Sequence, residues 1–287
     1  MEGDWRIVPR EAENKHRSTC ETQYEGFFSE FYDLLHSSYD ADVPTYLDLA
    51  REYGDPILEL GSGSGRLLIP LARAGYRVTG LDCSEDMSTL CRQKLEAEDD
   101  ATRERVTLAS GDMRDFDIDT EFNMVLAACN TILHCTTTDD LLAVLTRARE
   151  HLGPNGVFVV DFAVPNVLRM LQTSDIEARF EMLHPDRGTR VIDTYTVSYN
   201  FVKQMETYEA RIEEWDEDTM VRWSEVSTER AFYFPREVEL ALKCAGFDIV
   251  KTWKGLRGGP LVETSQDMVY VCKAASEGPW AVSRRRR

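Results

Sequence analysis

The chain has 287 residues, 43% of them hydrophobic, and a formal net charge of −18 at pH 7, enough apolar material for one large domain or one domain carrying an insertion. The acidity argues against a polyanionic partner, because nucleic-acid binding draws most of its affinity from Lys and Arg neutralising phosphates. No apolar run approaches the ~20 residues needed to span a bilayer, and Met1 to Arg17 lacks the apolar region of a signal peptide, so a cytoplasmic protein with no nucleic-acid or membrane partner is expected.

Residues 1–22 are polar and aperiodic and read as a mobile lead. From Tyr24 to Tyr53 the residues Phe27, Phe28, Phe31, Tyr32, Leu34 and Leu35, then Tyr46, Leu47 and Leu49, recur at helical spacing. This predicts two helices separated near Ser37–Pro44. Strand and helix signals then alternate. Strands are predicted at Pro56–Leu60, Tyr76–Leu81, Val106–Ala109, Asn123–Ala128 and Gly156–Phe162, with helices between them at Leu67–Ala74, Met87–Glu98 and Asp139–His151. Such alternation implies a parallel sheet with right-handed crossovers, and near-continuous apolar strands imply helices on both faces.

After Asn166 the rhythm changes. Polar and apolar residues alternate through Val191, Asp193, Tyr195, Val197 and Tyr199, then from Glu206 to Trp215 and from Val221 to Phe234. Three antiparallel strands are predicted there. A helix at Pro235–Ala245 and strands at Phe247–Trp253 and Met268–Cys272 resume the core. The expected fold class is α/β, a seven-stranded, mostly parallel sheet with helices on both faces, plus a small antiparallel β insertion. The expected division is a lead at 1–22, a ligand-binding domain over 23–188 and 231–275, the insertion over 189–230, and a tail over 276–287 that ends in Arg284–Arg287.

The chemistry concentrates at the first predicted strand. Ile57-Leu58-Glu59-Leu60-Gly61-Ser62-Gly63-Ser64-Gly65-Arg66 reads as strand, glycine turn and helix start, and Asp82 closes the next apolar run. Glycines let a backbone approach a ligand, and a carboxylate about 20 residues further on can take both ribose hydroxyls. A dinucleotide fingerprint needs G-x-G-x-x-G, but position 66 is Arg and the third glycine comes one residue early. A nicotinamide dinucleotide is therefore disfavoured. Seven cysteines are scattered through apolar runs without a Cys-x-x-Cys pair, and five histidines show no metal-ligand spacing, so reduced thiols and no metal are expected.

The G-x-G-x-G run preceded by Glu59 resembles motif I of class I S-adenosylmethionine-dependent methyltransferases. The resemblance implies a Rossmann-like fold, S-adenosyl-L-methionine as cofactor, and a site built from Glu59, Gly61, Ser62, Gly63 and Gly65. It makes Asp82 the ribose-binding acid, with Cys83 and Met87 in the loop under the adenine. Asp112, in Gly111-Asp112-Met113, accepts from the adenine amino group while Met113 packs on the ring. The stretch Ala128 to His134, including Asn130, faces the transferred methyl group. The order of elements matches over residues 56–273 and the short motifs over 57–161. The nearest subgroup is the bacterial small-molecule enzymes that N-methylate glycine, sarcosine or amino sugars. They share the Phe31-Tyr32-Asp33-type helix and a β insertion after strand five. Ser62 and Ser64 depart from the Cys and Thr of many members, and both are small.

Methyl transfer from a sulfonium is an in-line displacement that needs alignment, exclusion of water and a free lone pair on the acceptor. An amine need only be unprotonated, whereas a hydroxyl needs a base. His134, at the carboxyl edge of the sheet, is the base candidate; it reads equally as a helix-start histidine bonded to backbone. Tyr32 and Tyr24 either close over the cofactor or pack with Phe28. Asp161 either touches substrate or caps a loop. In the insertion, Tyr195, Tyr199 and Tyr233, among many carboxylates, suit an amine-bearing small-molecule acceptor. The alternatives are a methyltransferase acting on RNA or protein, and a non-catalytic protein that binds the cofactor or a partner. A homodimer is left open.

Overall fold

The computed structural model describes residues 24–35, 42–254 and 265–276. The expected lead at 1–22 and the Arg284–Arg287 tail lie outside these residues. The chain opens with two single-turn helices, α1 (Gly26–Ser29) and α2 (Tyr32–Leu35), and a longer one, α3 (Val43–Tyr53). The link expected between the predicted helices falls partly outside the described residues. Strands β1 (Ile57–Leu60), β2 (Val78–Asp82), β3 (Val106–Ser110), β4 (Phe122–Ala127) and β5 (Leu152–Ala163) follow in alternation with α4 (Leu68–Arg73), α5 (Glu85–Glu96), α6 (Asp100–Arg103) and α7 (Thr138–Glu150). Helix α8 (Val167–Thr173) leads into β6 (Ala178–Leu183), β7 (Arg190–Asn200), β8 (Met205–Asp216) and β9 (Thr219–Ala231). Helix α9 (Pro235–Cys244), β10 (Phe247–Lys254) and β11 (Asp267–Ala274) complete the described order.

Seven strands form one sheet in the order β10-β11-β5-β4-β1-β2-β3. β1 pairs parallel with both β2 and β4, and β11 runs antiparallel to both β5 and β10. The strand order reverses between β1 and β4, and in open α/β sheets ligands bind outside the carboxyl ends of the strands at such a point. The middle strands are buried: Ile57, Leu58 and Leu60 of β1 and Val157 to Val160 of β5 are each 0% exposed. One apolar layer packs residues of α7 and α9 on the sheet, and the other packs α3 and α4 on the opposite face. Local signals fix the helix starts. Ser84 accepts from the Met87 N–H at the start of α5, with Glu85 and Asp86 in the positive first turn. Among the described residues no helix is long and apolar enough to cross a membrane.

The inserted sheet has four strands in the order β6-β7-β8-β9, one more than the alternation predicts, and it begins at Ala178 rather than 189. β6 escaped the reading because it is a short edge strand whose apolar side chains stay exposed, Phe180 at 54% and Leu183 at 69%. No buried face imposes a pattern on it. One face of this sheet packs on the N-terminal helices: Phe28 and Phe31 meet Val191, Ala210 and Ile212. Arg187 and Arg222 stand over the Phe31 ring and reach Glu30 at 3.4 and 2.9 Å. Both also bind the buried Glu214, at 2.9 and 2.7 Å.

Phe31, 0% exposed, is the apolar centre of that contact. Phe31→Ala should cost about 3 kcal/mol, the lower end for truncating a buried aromatic. Urea denaturation followed by circular dichroism measures it; a loss below 1 kcal/mol (roughly a surface effect) would show that the helices are not anchored through this ring.

Candidate active site

A cleft of about 870 Å³ opens at the carboxyl ends of β1, β2 and β4. Its floor is the glycine turn. Gly61 and Gly63 line it with φ of +66° and +54°, a region that glycine alone enters freely. A Cβ at Gly61 would stand 2.9 Å from the Thr131 side chain, so the tight approach of two loops also requires glycine there. Gly65 does not line the cleft: its absent Cβ makes room for the Cys91 sulfur at 2.6 Å, which lets α5 pack on the turn. Ser62 is likewise buried beneath the turn.

Asp82, at the end of β2, lines the cleft and ties its walls together. Its Oδ2 accepts from the Gly63 N–H at 2.6 Å and its Oδ1 from the Ser84 N–H at 2.8 Å. Each carboxylate oxygen has a second lone pair, so acceptor capacity remains. Burial raises its pKa in spite of these donors. Glu59 sits at the end of β1, 5% exposed, with Oε2 sealed from water and unpartnered among the described residues. Desolvation pushes it up to about 8, against the pull of Arg66. Cys83, Met87 and Met113 line the same cleft. Asp112 lines it too, gripped by Arg114, whose Nε lies 2.9 and 3.0 Å from its two oxygens. That ion pair holds its pKa below the ordinary value.

Beyond β4 the chain makes a strained turn. Cys129 and Asn130 both have positive φ, 59° and 64°, and Asp161 of β5 accepts both their N–H groups, at 2.7 and 2.8 Å. The Tyr46 hydroxyl donates to the same carboxylate. Asn130 in turn accepts from the Ala163 N–H at 2.6 Å. Of the two readings of Asp161 the geometry selects the loop tie. It is 2% exposed and does not line the cleft, and neither does Asn130. The turn carries Cys129, Thr131 and His134 into the cleft wall.

The fourth wall is the N-terminal segment. The Tyr24 carbonyl accepts from Ser84 Oγ at 2.7 Å, and the Gly26 N–H donates to Asp86 at 2.6 Å. Asp33 accepts from Ser64 Oγ at 2.6 Å. Thus clipped, Tyr24 places its hydroxyl 3.0 Å from His134 Nε2, and its ring meets that of Tyr32 edge-on at 5.6 Å. His134 is therefore met by a side chain from another element, not merely by its own backbone. Burial and the nearby Arg230 lower its pKa to about 4, so the imidazole is neutral near physiological pH. Burial raises the pKa of the Tyr32 hydroxyl.

The tyrosines proposed from the insertion lie outside the cleft lining. Tyr195 packs between Phe180 and Tyr208, with ring centroids at 5.9 and 5.4 Å. Tyr199 packs against Phe201 and Phe232, and the Tyr233 hydroxyl donates to the Cys135 carbonyl. Each side chain is occupied in holding its own neighbourhood together. Conversely, Leu81 and Arg114 line the cleft without having been singled out, as do Ser84 and Thr131, which the sequence marks only as members of the loops after Asp82 and Ala128. Leu81 and Ser84 flank Asp82, so the strand-end position was the available signal; nothing about Arg114 marks it before its fork on Asp112 is seen.

A glycine turn, a strand-end acid and a crevice at the reversal of strand order define a nucleoside-ligand fold. Residues 57–156 match the family described as the methyltransferase domain. The chain is 32% identical over 145 residues to a dTDP-3-amino-3,4,6-trideoxy-alpha-D-glucopyranose N,N-dimethyltransferase of Streptomyces venezuelae, covering 48% of this chain and 58% of that protein. Its fold is that of the CcbJ methyltransferase from Streptomyces caelestis, at 23% identity and a TM-score of 0.74 over 89% of this chain and 99% of that one. The sugar N-methyltransferase KedS8 from Streptoalloteichus is similar over 94% of this chain and 99% of its own, at 18% identity and a TM-score of 0.68. The chain spans little more than half the length of the first curated relatives it matches. Residues 57–156 thus match a methyltransferase domain, and the chain as described has the Rossmann-like fold of these solved structures.

The depressed pKa of His134 has a stability consequence. Between pH 6.5 and about 4 the unfolded chain takes up a proton that folded His134 refuses, so this residue makes the protein less stable as pH falls through that window. His134→Gln should flatten the loss of melting temperature between those two pH values relative to the parent. Parallel curves from differential scanning calorimetry would mean that His134 titrates normally.

Proposed function

We propose that the protein transfers a methyl group from S-adenosyl-L-methionine to the nitrogen of a small amine by in-line displacement. One observation carries this reading: Gly61, Gly63 and Asp82 line one cleft, and Glu59, on the strand that runs into the glycine turn though not itself in the lining, has a buried oxygen without a donor among the described residues. A buried acid without a donor is costly unless a ligand supplies one. The ammonium end of the cofactor suits that acid, the bare glycine backbone suits its close approach, and Asp82 suits the ribose. Ser62, Gly65 and Asn130 shape the loops around it; Cys83, Met87, Met113 and Asp112 would surround the adenine.

When bound, the cofactor supplies the electrophilic methyl group on its sulfonium. The chain's own residues then align the acceptor and exclude water, worth several kcal/mol of the barrier. Tyr24 and Tyr32 cover the cleft. Neutral His134, protonated at Nδ1, accepts from the Tyr24 hydroxyl and so turns that oxygen into an acceptor for an N–H of the substrate. As the amine nitrogen is methylated, the N–H held by the Tyr24 oxygen stays on the nitrogen and its proton is lost to water with the product. An amine is favoured over an alcohol because it needs no stronger base than this, and because proteins similar to this chain are named as amino-sugar N-methyltransferases. The inserted sheet is read as the acceptor-side lid on the Rossmann-like domain. The six described cysteines are free thiols, in keeping with a cytoplasmic setting.

The test is calorimetric titration with S-adenosylmethionine and S-adenosylhomocysteine, with NAD as control. Micromolar binding of the first two and none of NAD is expected; binding of neither would overturn the reading. Asp82→Ala should abolish that binding without lowering helix content, and unchanged affinity would remove Asp82 from the site. His134→Gln should reduce turnover of a small amine roughly 10²-fold or more, the usual contribution of a positioned acid or base, while leaving affinity for S-adenosylhomocysteine intact.

A further inference from the structure

The inserted sheet carries a carboxylate that the fold does not explain. Asp193 stands in the middle of β7, opposite Phe180 of β6 and Ile212 of β8. It lies on the face whose neighbours Val191, Ala210 and Ile212 pack against Phe28 and Phe31. It is 5% exposed, and its Oδ1 is sealed from water with no donor among the described residues. The other buried acids differ. Asp161 has three donors, Asp42 is forked by Arg66 at 2.5 and 2.6 Å, and Glu214 is held by Thr189, Arg187 and Arg222. Glu59 alone among the described buried acids shares the condition of Asp193, and it is the residue assigned above to the ammonium of the cofactor.

Strand β9 of this sheet packs against the turn Thr131–His134 that forms part of the cleft wall. Tyr208, on the same face of the neighbouring strand, senses the charge of both Asp193 and Tyr24. Arg230, at the end of β9 on that face, acts on His134 and on Tyr208. Arg230 is already bound to Glu206 at 3.0 Å, so it does not neutralise Asp193. Desolvation raises the Asp193 pKa only to about 6, which leaves the group charged at neutral pH. A carboxylate with one sealed oxygen and no donor on it among the described residues thus shares a sheet face with Tyr208 and Arg230.

We propose that Asp193 is the acceptor-binding carboxylate, taking the N–H donors of an amine that enters beneath the inserted sheet. This rests on the methyltransferase reading and deepens it by assigning the acceptor end of the same site. A bare carboxylate favours an amine over the matching alcohol, because a charged donor gains more from it than a hydroxyl does. The amine binds as its ammonium, sheds one proton to solvent, and then keeps a remaining N–H on the carboxylate while the freed lone pair faces the methyl group.

The test uses the full chain saturated with S-adenosylhomocysteine, titrated calorimetrically at neutral pH with methyl glucosaminide and with methyl glucoside, which lacks the amine. The parent should bind the glucosaminide and discriminate against the glucoside. Asp193→Asn should weaken the glucosaminide at least about tenfold, the size of a lost hydrogen bond to a charged group, with affinity for S-adenosylhomocysteine unchanged. Because the carboxylate has no partner to lose, the melting temperature of Asp193→Asn and of Asp193→Ser should hold or rise. Equal binding by parent and variants, no binding of the glucosaminide by the parent, or a melting temperature several degrees lower in both variants would each overturn the proposal. Failure of S-adenosylhomocysteine itself to bind the parent would instead overturn the methyltransferase reading beneath it.

Discussion

The carboxylate of Asp161 is the constraint on which the reacting end of this sheet depends. It joins three elements: α3 through the Tyr46 hydroxyl, the turn after β4 through two consecutive N–H groups, and its own strand β5. Cys129 and Asn130 sit at positive φ, which costs roughly 1–2 kcal/mol for each residue with a side chain. Each hydrogen bond to a charged acceptor returns about 1.5–3 kcal/mol, so the two backbone bonds outweigh the strain. The result is a turn that departs from the strand direction at once. That abrupt exit sets Thr131 against the glycine loop and swings His134 into the cleft. A carboxylate outside the cleft lining thereby decides where part of the cleft wall stands.

The parallel core leaves its crevice open on one side, as any doubly wound sheet does. Two additions close it, the first held by polar contacts and the second by a small apolar cluster edged with ion pairs. The N-terminal segment is pinned by Asp33, Asp86 and Ser84 to the loops after β1 and β2. The inserted sheet is pinned to that segment by Phe31 and by Glu30, Arg187, Arg222 and Glu214. Single exposed ion pairs contribute little; here the buried Glu214 shares two arginines with Glu30, and they also cover an aromatic ring. Opening the cleft means separating these contacts while the sheet stays intact, so the cover has lower local stability than the floor.

The sequence was most legible where steric necessity writes it. The glycine turn, the acid at the end of β2 and the seven-stranded order could be read because each demands a residue type at a fixed place. Gly65 shows the limit of that reasoning: it lies outside the cleft lining, and its missing Cβ makes room for Cys91 of α5. Alternation along β7 and β8 revealed strands but not what each side chain packs against, and so Tyr195 and Tyr199, which meet Phe180, Tyr208, Phe201 and Phe232, were favoured for being aromatic. Asp193 drew no notice as one polar residue in an alternating strand, since such a residue ordinarily faces water. Only the docking of α1 and α2 onto that face buries it, and this is a tertiary fact. Arg114 and the edge strand β6 were invisible for related reasons, a partner met by a fork and a strand without a buried side.

Glu59 and Asp193 share one physical predicament on two sides of the site. Both are buried, each has one oxygen without a donor among the described residues, and desolvation raises both, to about 8 and about 6. In the free protein Glu59 is mostly protonated at neutral pH, whereas Asp193 is charged. A cation that binds beside Glu59 must therefore displace its proton, and one that binds beside Asp193 need not. Cofactor affinity should accordingly depend on pH through Glu59, while acceptor affinity depends on it through the amine. Any ligand that relieves either acid stabilises the folded chain by mass action. The net charge of −18 draws cations toward such acids from a distance. Replacing either acid with a neutral side chain would leave the fold at least as stable and the site without its attraction for positive ligands. Residues whose retention costs stability and whose chemistry matches the ligand are best explained by the ligand.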